Sequence, residues 1–275
     1  NYSRPDIELT PRGNDEEVLY DDFRRGCADL FFRDTGCASK AEGLACDIPL
    51  PDGTNGAEAQ ARLEDVVDGI GLDVTVQPKA GRRKRLLIAD MDSTMIDQEC
   101  IDELADAVGI KDQVAAITER AMRGELDFAD ALRTRVSLIK GLERRVIEEI
   151  RRERITLAQG SRTLVQTMKT HGAVTSLVSG GFTFFADWIG KRLGFDEAVA
   201  NVLEFDGDRL TGTVTEPIVG REMKGARLMA LAAEHNLPIA ATIAVGDGAN
   251  DLGMIKASGL GVALHAKPIV AEQAA

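Results

Sequence analysis

The chain has 275 residues, 44% hydrophobic and 28% charged, with a net charge of −12 at pH 7 and only 4% aromatic residues. This is the composition of a globular protein with one large core or two smaller ones. The negative balance, the lack of a long basic patch and the few rings for base stacking argue against nucleic-acid binding. No apolar run approaches the length of a membrane span. The N-terminus is polar and acidic, unlike a signal peptide. Cys27, Cys37, Cys46 and Cys100 follow neither zinc spacing nor a dense disulfide framework, so they are expected to be reduced thiols in a cytoplasmic protein. The chain starts at Asn1 without a methionine and stops in an expected helix at Ala275, so both ends are expected to be truncated.

Residues 1–43 carry Pro5, Pro11, Gly13 and the acidic run Asp15-Glu16-Glu17, with little periodic apolar content. They are expected to be irregular. Cys46-Asp47-Ile48-Pro49-Leu50 reads as a short strand limited by its proline. Ala57–Val67 reads as a helix with Ala61, Leu63, Val66 and Val67 available to pack, and Asp73–Gln77 alternates as a strand does. Residues 44–80 thus form a small α+β unit, and Pro78 to Arg85, with Gly81 and five basic residues, reads as a linker.

From Leu86 the pattern changes. Leu86–Ala89, Ala173–Val178, Thr242–Val245 and Leu260–Ala263 read as strands, with helices at Ser161–Thr170, Phe184–Leu193 and Lys224–His235. Alternation of this kind predicts an α/β fold, a doubly wound, Rossmann-like parallel sheet. Val199–Phe205 and Arg209–Val214, joined across Asp206-Gly207-Asp208, read as a hairpin. Between the first strand and Thr156 the pattern is almost wholly helical, with Cys100, Leu104 and Val108 on one face and Val146, Ile147 and Ile150 on another. That is far more than a βαβ crossover requires, and it predicts a helical cap at 96–154 inserted into a core made of 81–95 and 155–275.

The candidate chemistry lies at the strand ends. Asp90-Met91-Asp92-Ser93-Thr94 follows the first strand directly. Beyond the strand both carboxylates can reach one pocket, where open parallel sheets place their ligands. One carboxylate can act as a nucleophile and the other can shuttle a proton. The plainer alternative is an acidic turn with a helix cap at Ser93 or Thr94. Ser179-Gly180-Gly181, after the second strand, offers a hydroxyl and unhindered N–H groups to a phosphoryl group, or is simply a glycine-rich turn. Lys224 opens a helix and can neutralise phosphoryl oxygens. Gly246-Asp247-Gly248-Ala249-Asn250-Asp251 combines a tight turn with hard oxygen ligands suited to Mg²⁺. A calcium loop of the EF-hand type is excluded, because its twelfth position is Ser258. Ala266-Lys267-Pro268 is expected only to open a helix.

The order D-x-D-S-T, S-G-G, K, G-D-G-x-N-D resembles the haloacid dehalogenase superfamily from Leu86 to the C-terminus. Within it the chain is similar to the phosphatases that act on O-phospho-L-serine in serine biosynthesis. Asp90–Thr94, Glu99, Leu132–Val136, Val178–Phe182 and Ala244–Asp251 carry that similarity. The resemblance implies a four-helix-type cap, Mg²⁺ and an aspartyl-phosphate intermediate. It makes Asp90 the nucleophile and Asp92 the general acid/base. Mg²⁺ would be held by the Asp90 carboxylate, the Asp92 main-chain carbonyl and Asp247. Ser179, Gly180, Lys224 and Asn250 would hold the phosphoryl group, with Asp251 in support. Glu99 would meet the substrate ammonium and Arg135 its carboxylate, beside an apolar wall of Met122 and Phe128. A zwitterionic substrate needs one fixed anion and one fixed cation, and guanidinium binds carboxylate bidentately. Residues 44–78 resemble part of the ACT-like domain that some bacterial relatives carry, whereas residues 1–43 do not resemble its first half. The alternatives are phosphotransfer to homoserine, a phosphatase for another small phosphate, and an inactive amino-acid-binding regulatory module. The sequence leaves the oligomeric state open.

Overall fold

The computed structural model describes residues 5–11, 38–41, 45–67, 72–122, 125–266, 270–271 and 273, with side chains from Ile48 onward except those of Leu72 and Met122. The chain divides into two compact units, Asn1–Arg82 and Arg83–Ala275.

In the first unit, β1 (Pro5–Pro11), β2 (Ala38–Ala41), β3 (Ala45–Pro49) and β4 (Leu72–Pro78) form an antiparallel sheet in the order β2-β3-β1-β4. The expectation of an irregular segment over 1–43 therefore fails for β1 and β2. β1 pairs with both neighbours, from Asp6↔Pro49 to Leu9↔Cys46 and from Pro5↔Pro78 to Pro11↔Leu72. Its two prolines sit at its ends, where a missing N–H costs no central ladder bond. Cys27 and Cys37 lie outside the described residues. Helix α1 (Gly56–Val67) is capped by Asn55, whose Oδ1 accepts from the N–H groups of Ala57 (3.1 Å) and Glu58 (3.4 Å). Its buried stripe is Ala59, Leu63 and Val67, at helical spacing, whereas Ala61 is exposed and Val66 half-buried. Gln60 covers the edge strand β4, accepting from Val76 N (2.6 Å) and donating to Val74 O (3.0 Å).

The second unit is built on five parallel strands in the order β11-β10-β5-β6-β7. They are β5 (Leu86–Ala89), β6 (Val174–Phe182), β7 (Glu197–Asn201), β10 (Thr242–Gly246) and β11 (Gly261–Ala263). β5 is buried throughout. Leu87 and Ala89 feed one core with Val165, Phe185 and Ile189, and Leu86 and Ile88 feed the other with Leu228, Leu231 and Met254. Alternate side chains point to opposite faces of a strand, so both faces need helices. α6 (Ser161–Thr170) and α7 (Thr183–Leu193) supply the first core, and α8 (Arg221–Glu234) and α9 (Leu252–Ala257) the second. The chain leaves β5 towards β6 on one side and returns to β10 on the other. Register aligns Ala89 with Leu177 and with Val245, so β5 and β10 end nearly level at this switch point while β6 runs on beyond them to Phe182.

Three local readings are corrected. The second strand does not stop at Val178 before a glycine turn. β6 runs on to Phe182, and its pairing with β7 shifts register between Val178 and Phe182, so Ser179-Gly180-Gly181 is a bulge within a strand. Val199–Asn201 belongs to β7 in the main sheet, because its burial suits the sheet. Only β8 (Leu203–Asp206) and β9 (Arg209–Val214) make the hairpin. α8 begins at Arg221, so Lys224 lies one turn into the helix.

Between β5 and α6 lie α2 (Cys100–Ala107), α3 (Lys111–Met122), α4 (Phe128–Leu138) and α5 (Arg144–Glu153). Asp127 caps α4 by accepting from Ala129 N (2.8 Å) and Asp130 N (3.2 Å). Leu104, Val114, Leu132, Val136, Ile147 and Ile150 are buried together, while Val108 is 41% exposed and leaves the face predicted for it. The β8–β9 hairpin is tied to this helical segment, since Gly141 N donates to Leu210 O (2.8 Å) and Arg144 N to Asp208 O (2.8 Å).

Candidate active site

The turn after β5 is compact. The N–H groups of Met95 (2.9 Å) and Ile96 (3.1 Å) both donate to Met91 O, and Ser93 takes a left-handed φ of 53°. No helix begins at Ser93 or Thr94, as the plainer reading required. Instead the turn folds the Asp92 carboxylate back onto the start of α2, where Oδ1 accepts from Cys100 N (2.8 Å). Asp92 Oδ2 accepts from Ser179 Oγ (3.1 Å), which in turn accepts from Gly181 N (2.8 Å). A Cβ on Gly181 would lie 2.5 Å from Asp92 Oδ2, so a side chain there would have to displace the Asp92 carboxyl group.

Asp90 is 5% exposed and Lys224 fully buried. Lys224 Nζ stands 2.7 Å from Asp90 Oδ1 and 2.7 Å from Asp251 Oδ1. Burial opposes the charge on Lys224, but Asp90 and Asp251 outweigh it and hold the ammonium above an ordinary lysine. Asp251 is engaged through both oxygens, since its Oδ2 also accepts from Asp247 N (3.2 Å) and Gly248 N (3.0 Å). Asp247 Oδ1 accepts from the buried Thr94 hydroxyl (2.8 Å). One ammonium is paired with two of the three neighbouring carboxylates here. Burial, then the Asp251 charge, push Asp90 well above the carboxylate range against the pull of Lys224, and burial pushes Asp247 up against the Thr94 hydrogen bond. Carboxylate oxygens of Asp90, Asp247 and Asp251 all lie within 4.8 Å of one another, a group that can hold a metal ion.

These groups open into a cavity of about 290 Å³. Asp90, Asp92, Asp247, Gly180 and Asn250 line its floor from the strand ends, and Glu99, Phe128 and Arg135 line it from the helical segment. Ser179, Lys224 and Asp251 lie behind this lining. The side chain of Met122 lies outside the described residues. Glu99 accepts from Ser93 Oγ (2.7 Å), and burial, followed by the Asp92 charge, pushes its carboxyl up to about 8. Arg135 is 7% exposed. It donates to Ala131 O (3.3 Å) and Thr118 Oγ1 (3.1 Å) and forms no ion pair among the described residues. Burial lowers its pKa, with Glu99 and Asp102 opposing.

Sequence reading missed Arg221, which lines the cavity from the first position of α8. Its spacing of three from Lys224 on one helix is the signal that places both near one site. Thr94 and Thr118 were also missed, since their roles depend on partners far away in sequence.

The haloacid dehalogenase-like hydrolase family matches residues 87–256. A protein of Archaeoglobus fulgidus named phosphoserine phosphatase is 42% identical over 220 residues, which is 79% of this chain and 64% of that protein. The chain therefore spans less than two thirds of that curated relative. The solved structure of a haloacid dehalogenase family hydrolase from Salmonella enterica serovar Typhi has a TM-score of 0.86 at 30% identity, over 98% of this chain and 92% of that one. The structure of a phospho-aspartyl intermediate analogue of phosphoserine phosphatase has a TM-score of 0.66 at 40% identity, over 70% of this chain and 91% of that one. This chain belongs to the haloacid dehalogenase-like hydrolases. Among the described residues no helix is long and apolar enough to cross a membrane.

Proposed function

We propose that the chain hydrolyses O-phospho-L-serine to L-serine and phosphate, with a phosphoryl group carried on Asp90 between two steps. The observation that carries this reading is Arg135, a buried guanidinium without a carboxylate ion-pair partner among the described residues, sharing one cavity with Glu99 and Asp90. A phosphorylated amino acid has the three groups these residues suit: a carboxylate, an ammonium and a phosphate. The relative and the intermediate analogue named above support the same substrate and the same intermediate.

In the first step an Asp90 oxygen attacks phosphorus, the ester P–O bond breaks, and a proton on Asp92 passes to the leaving serine oxygen. In the second step Asp92, now a carboxylate, takes a proton from water, which attacks phosphorus and frees Asp90. Ser179, Gly180, Lys224 and Asn250 hold the phosphoryl oxygens. The donor set fits Mg²⁺, because it consists of hard oxygens and a single ammonium, Lys224, stands against the three acids Asp90, Asp247 and Asp251. Asp90, Asp247 and the Asp92 main-chain carbonyl would hold the ion, which when bound neutralises charge on the phosphoryl group. Asp251, whose oxygens are already engaged, positions Lys224 and the metal-side loop. Residues 96–154 act as a cap on a core of 81–95 and 155–275. In the cap Arg135 takes the substrate carboxylate, Glu99 the ammonium, and Phe128 supplies an apolar wall. The free, buried Cys100 thiol suits a cytoplasmic setting.

Purified protein with Mg²⁺ and O-phospho-L-serine, assayed for phosphate with and without homoserine, tests the proposal. Phosphate release unaffected by homoserine is the expected result. Phosphohomoserine in place of phosphate would make the chain a phosphotransferase. Turnover of an aryl phosphate but not of phosphoserine would remove the substrate.

A further inference from the structure

Asn201 lies outside the cavity and in none of the roles given above, yet it is 1% exposed and fully hydrogen-bonded. It is the last residue of β7, and its backbone partner is Phe182, where pairing resumes after the bulge at Ser179-Gly180-Gly181. A bulge removes backbone groups from the ladder. The Asn201 side chain recovers one of them, as Nδ2 donates to Gly180 O (2.8 Å). The same Nδ2 donates to Val219 O (3.2 Å), and Oδ1 accepts from Val219 N (2.7 Å). One amide thus grips the bulge on one side and both backbone groups of Val219 on the other.

Both ends of this grip lead to the site. The peptide that gives its carbonyl to Asn201 gives its N–H, that of Gly181, to Ser179 Oγ, which donates to Asp92 Oδ2. An unbroken chain of hydrogen bonds therefore runs from Asn201 to Asp92, and such chains polarise one another. Val219 precedes Gly220, the N-cap of α8, so its position sets where Arg221 and Lys224 stand. The Phe128 ring rests on both gripped segments. A Cβ on Gly180 would lie 2.9 Å from its Cζ, and one on Gly220 would lie 3.1 Å from its Cδ1.

We propose that Asn201 is a positioning residue for phosphoryl transfer, locking the bulge that carries Ser179 and Gly180 to the start of the helix that carries Lys224. The inference rests on the phosphatase reading for the roles of those three groups, but not on phosphoserine as the substrate. A satisfied core amide with no further role makes a different prediction. Its loss would lower the folded fraction and leave the surviving site unchanged.

The test uses the whole chain with Mg²⁺, phosphoserine and a small aryl phosphate, and orthovanadate as an inhibitor that mimics five-coordinate phosphorus. Asn201→Ala is expected to lower kcat about 10²-fold on both substrates, since misplacement by about 1 Å costs that much. The phosphoserine KM, set in the cap, should move less than about threefold, and vanadate inhibition should weaken in step with kcat. Asn201→Asp keeps the acceptor for Val219 N and places a carboxylate against Gly180 O, so it should show the same pattern if Asn201→Ala does not fold. Reduced kcat with vanadate inhibition unchanged in a folded variant, or wild-type kcat in either variant, overturns the proposal. If wild-type protein ignores phosphoserine but both variants lose aryl phosphate turnover and vanadate inhibition, the substrate reading fails and the role of Asn201 stands.

Discussion

Lys224 and Arg135 are both buried cations of the site, and they are built in opposite ways. Lys224, on the sheet side, has two carboxylates 2.7 Å away. Arg135, on the helical side, has only a carbonyl and a hydroxyl among the described residues. A buried charge is costly unless it is paired. The partners of Lys224 come with the fold, so it orders Asp90 and Asp251 before anything binds. Arg135 lacks that compensation until an anion arrives. On the proposed function, the sheet side would be an assembled reaction centre and the helical side a receptor that selects what reaches it.

Changes on the sheet side should give the largest effects. Asp90→Asn keeps the shape and removes the nucleophile, so turnover of every phosphate ester should vanish while circular dichroism stays unchanged. Appreciable phosphate release by the folded variant would end the assignment. Lys224→Met leaves Asp90 and Asp251 buried against each other without a cation. Removing one partner of a buried pair costs about 3–5 kcal/mol, so denaturant melts of metal-free protein should show a loss of that order. A loss below about 1 kcal/mol would mean that Lys224 is not what holds these carboxylates.

On the helical side the smallest effect is a pH dependence at Glu99. Its carboxyl is held at about 8 in the fold, above an ordinary 4.5. The folded protein therefore keeps a proton that the unfolded chain has lost between those values, and stability from this group falls as pH rises through that window. Glu99→Gln, which is always neutral, should raise the melting temperature of metal-free protein at about pH 8.5, with the advantage fading towards about pH 5. Equal gains at both pH values would show that the charge is not the cause.

How much of this was legible in the sequence follows from how local each feature is. Asp90 and Asp92 stand out because an apolar run, Leu86–Ala89, ends directly on them. The α/β alternation and the helical insertion are likewise local periodicities. The bulge at Ser179–Gly181 was not legible, because two glycines read as a turn unless the register with β7 is known. The same long-range pairing took Val199–Asn201 out of the expected hairpin, and Asn201 carries no motif of its own. β1 was hidden by Pro5 and Pro11, which mark its ends and not its absence. Thr94 was read as part of a turn, though its hydroxyl holds Asp247, 153 positions away.

The difference between the two cations is tested most directly by the ratio of two kcat/KM values. Wild-type protein and Arg135→Ala would be measured on O-phospho-L-serine and on a small aryl phosphate that has no carboxylate. Losing the partner of a buried charge costs about 2–5 kcal/mol, so phosphoserine turnover should fall at least tens-fold, while the aryl phosphate, which needs only the sheet side, should change less than about threefold. An equal fall on both substrates would contradict the account, because Arg135 would then support the helical segment itself and not a bound carboxylate.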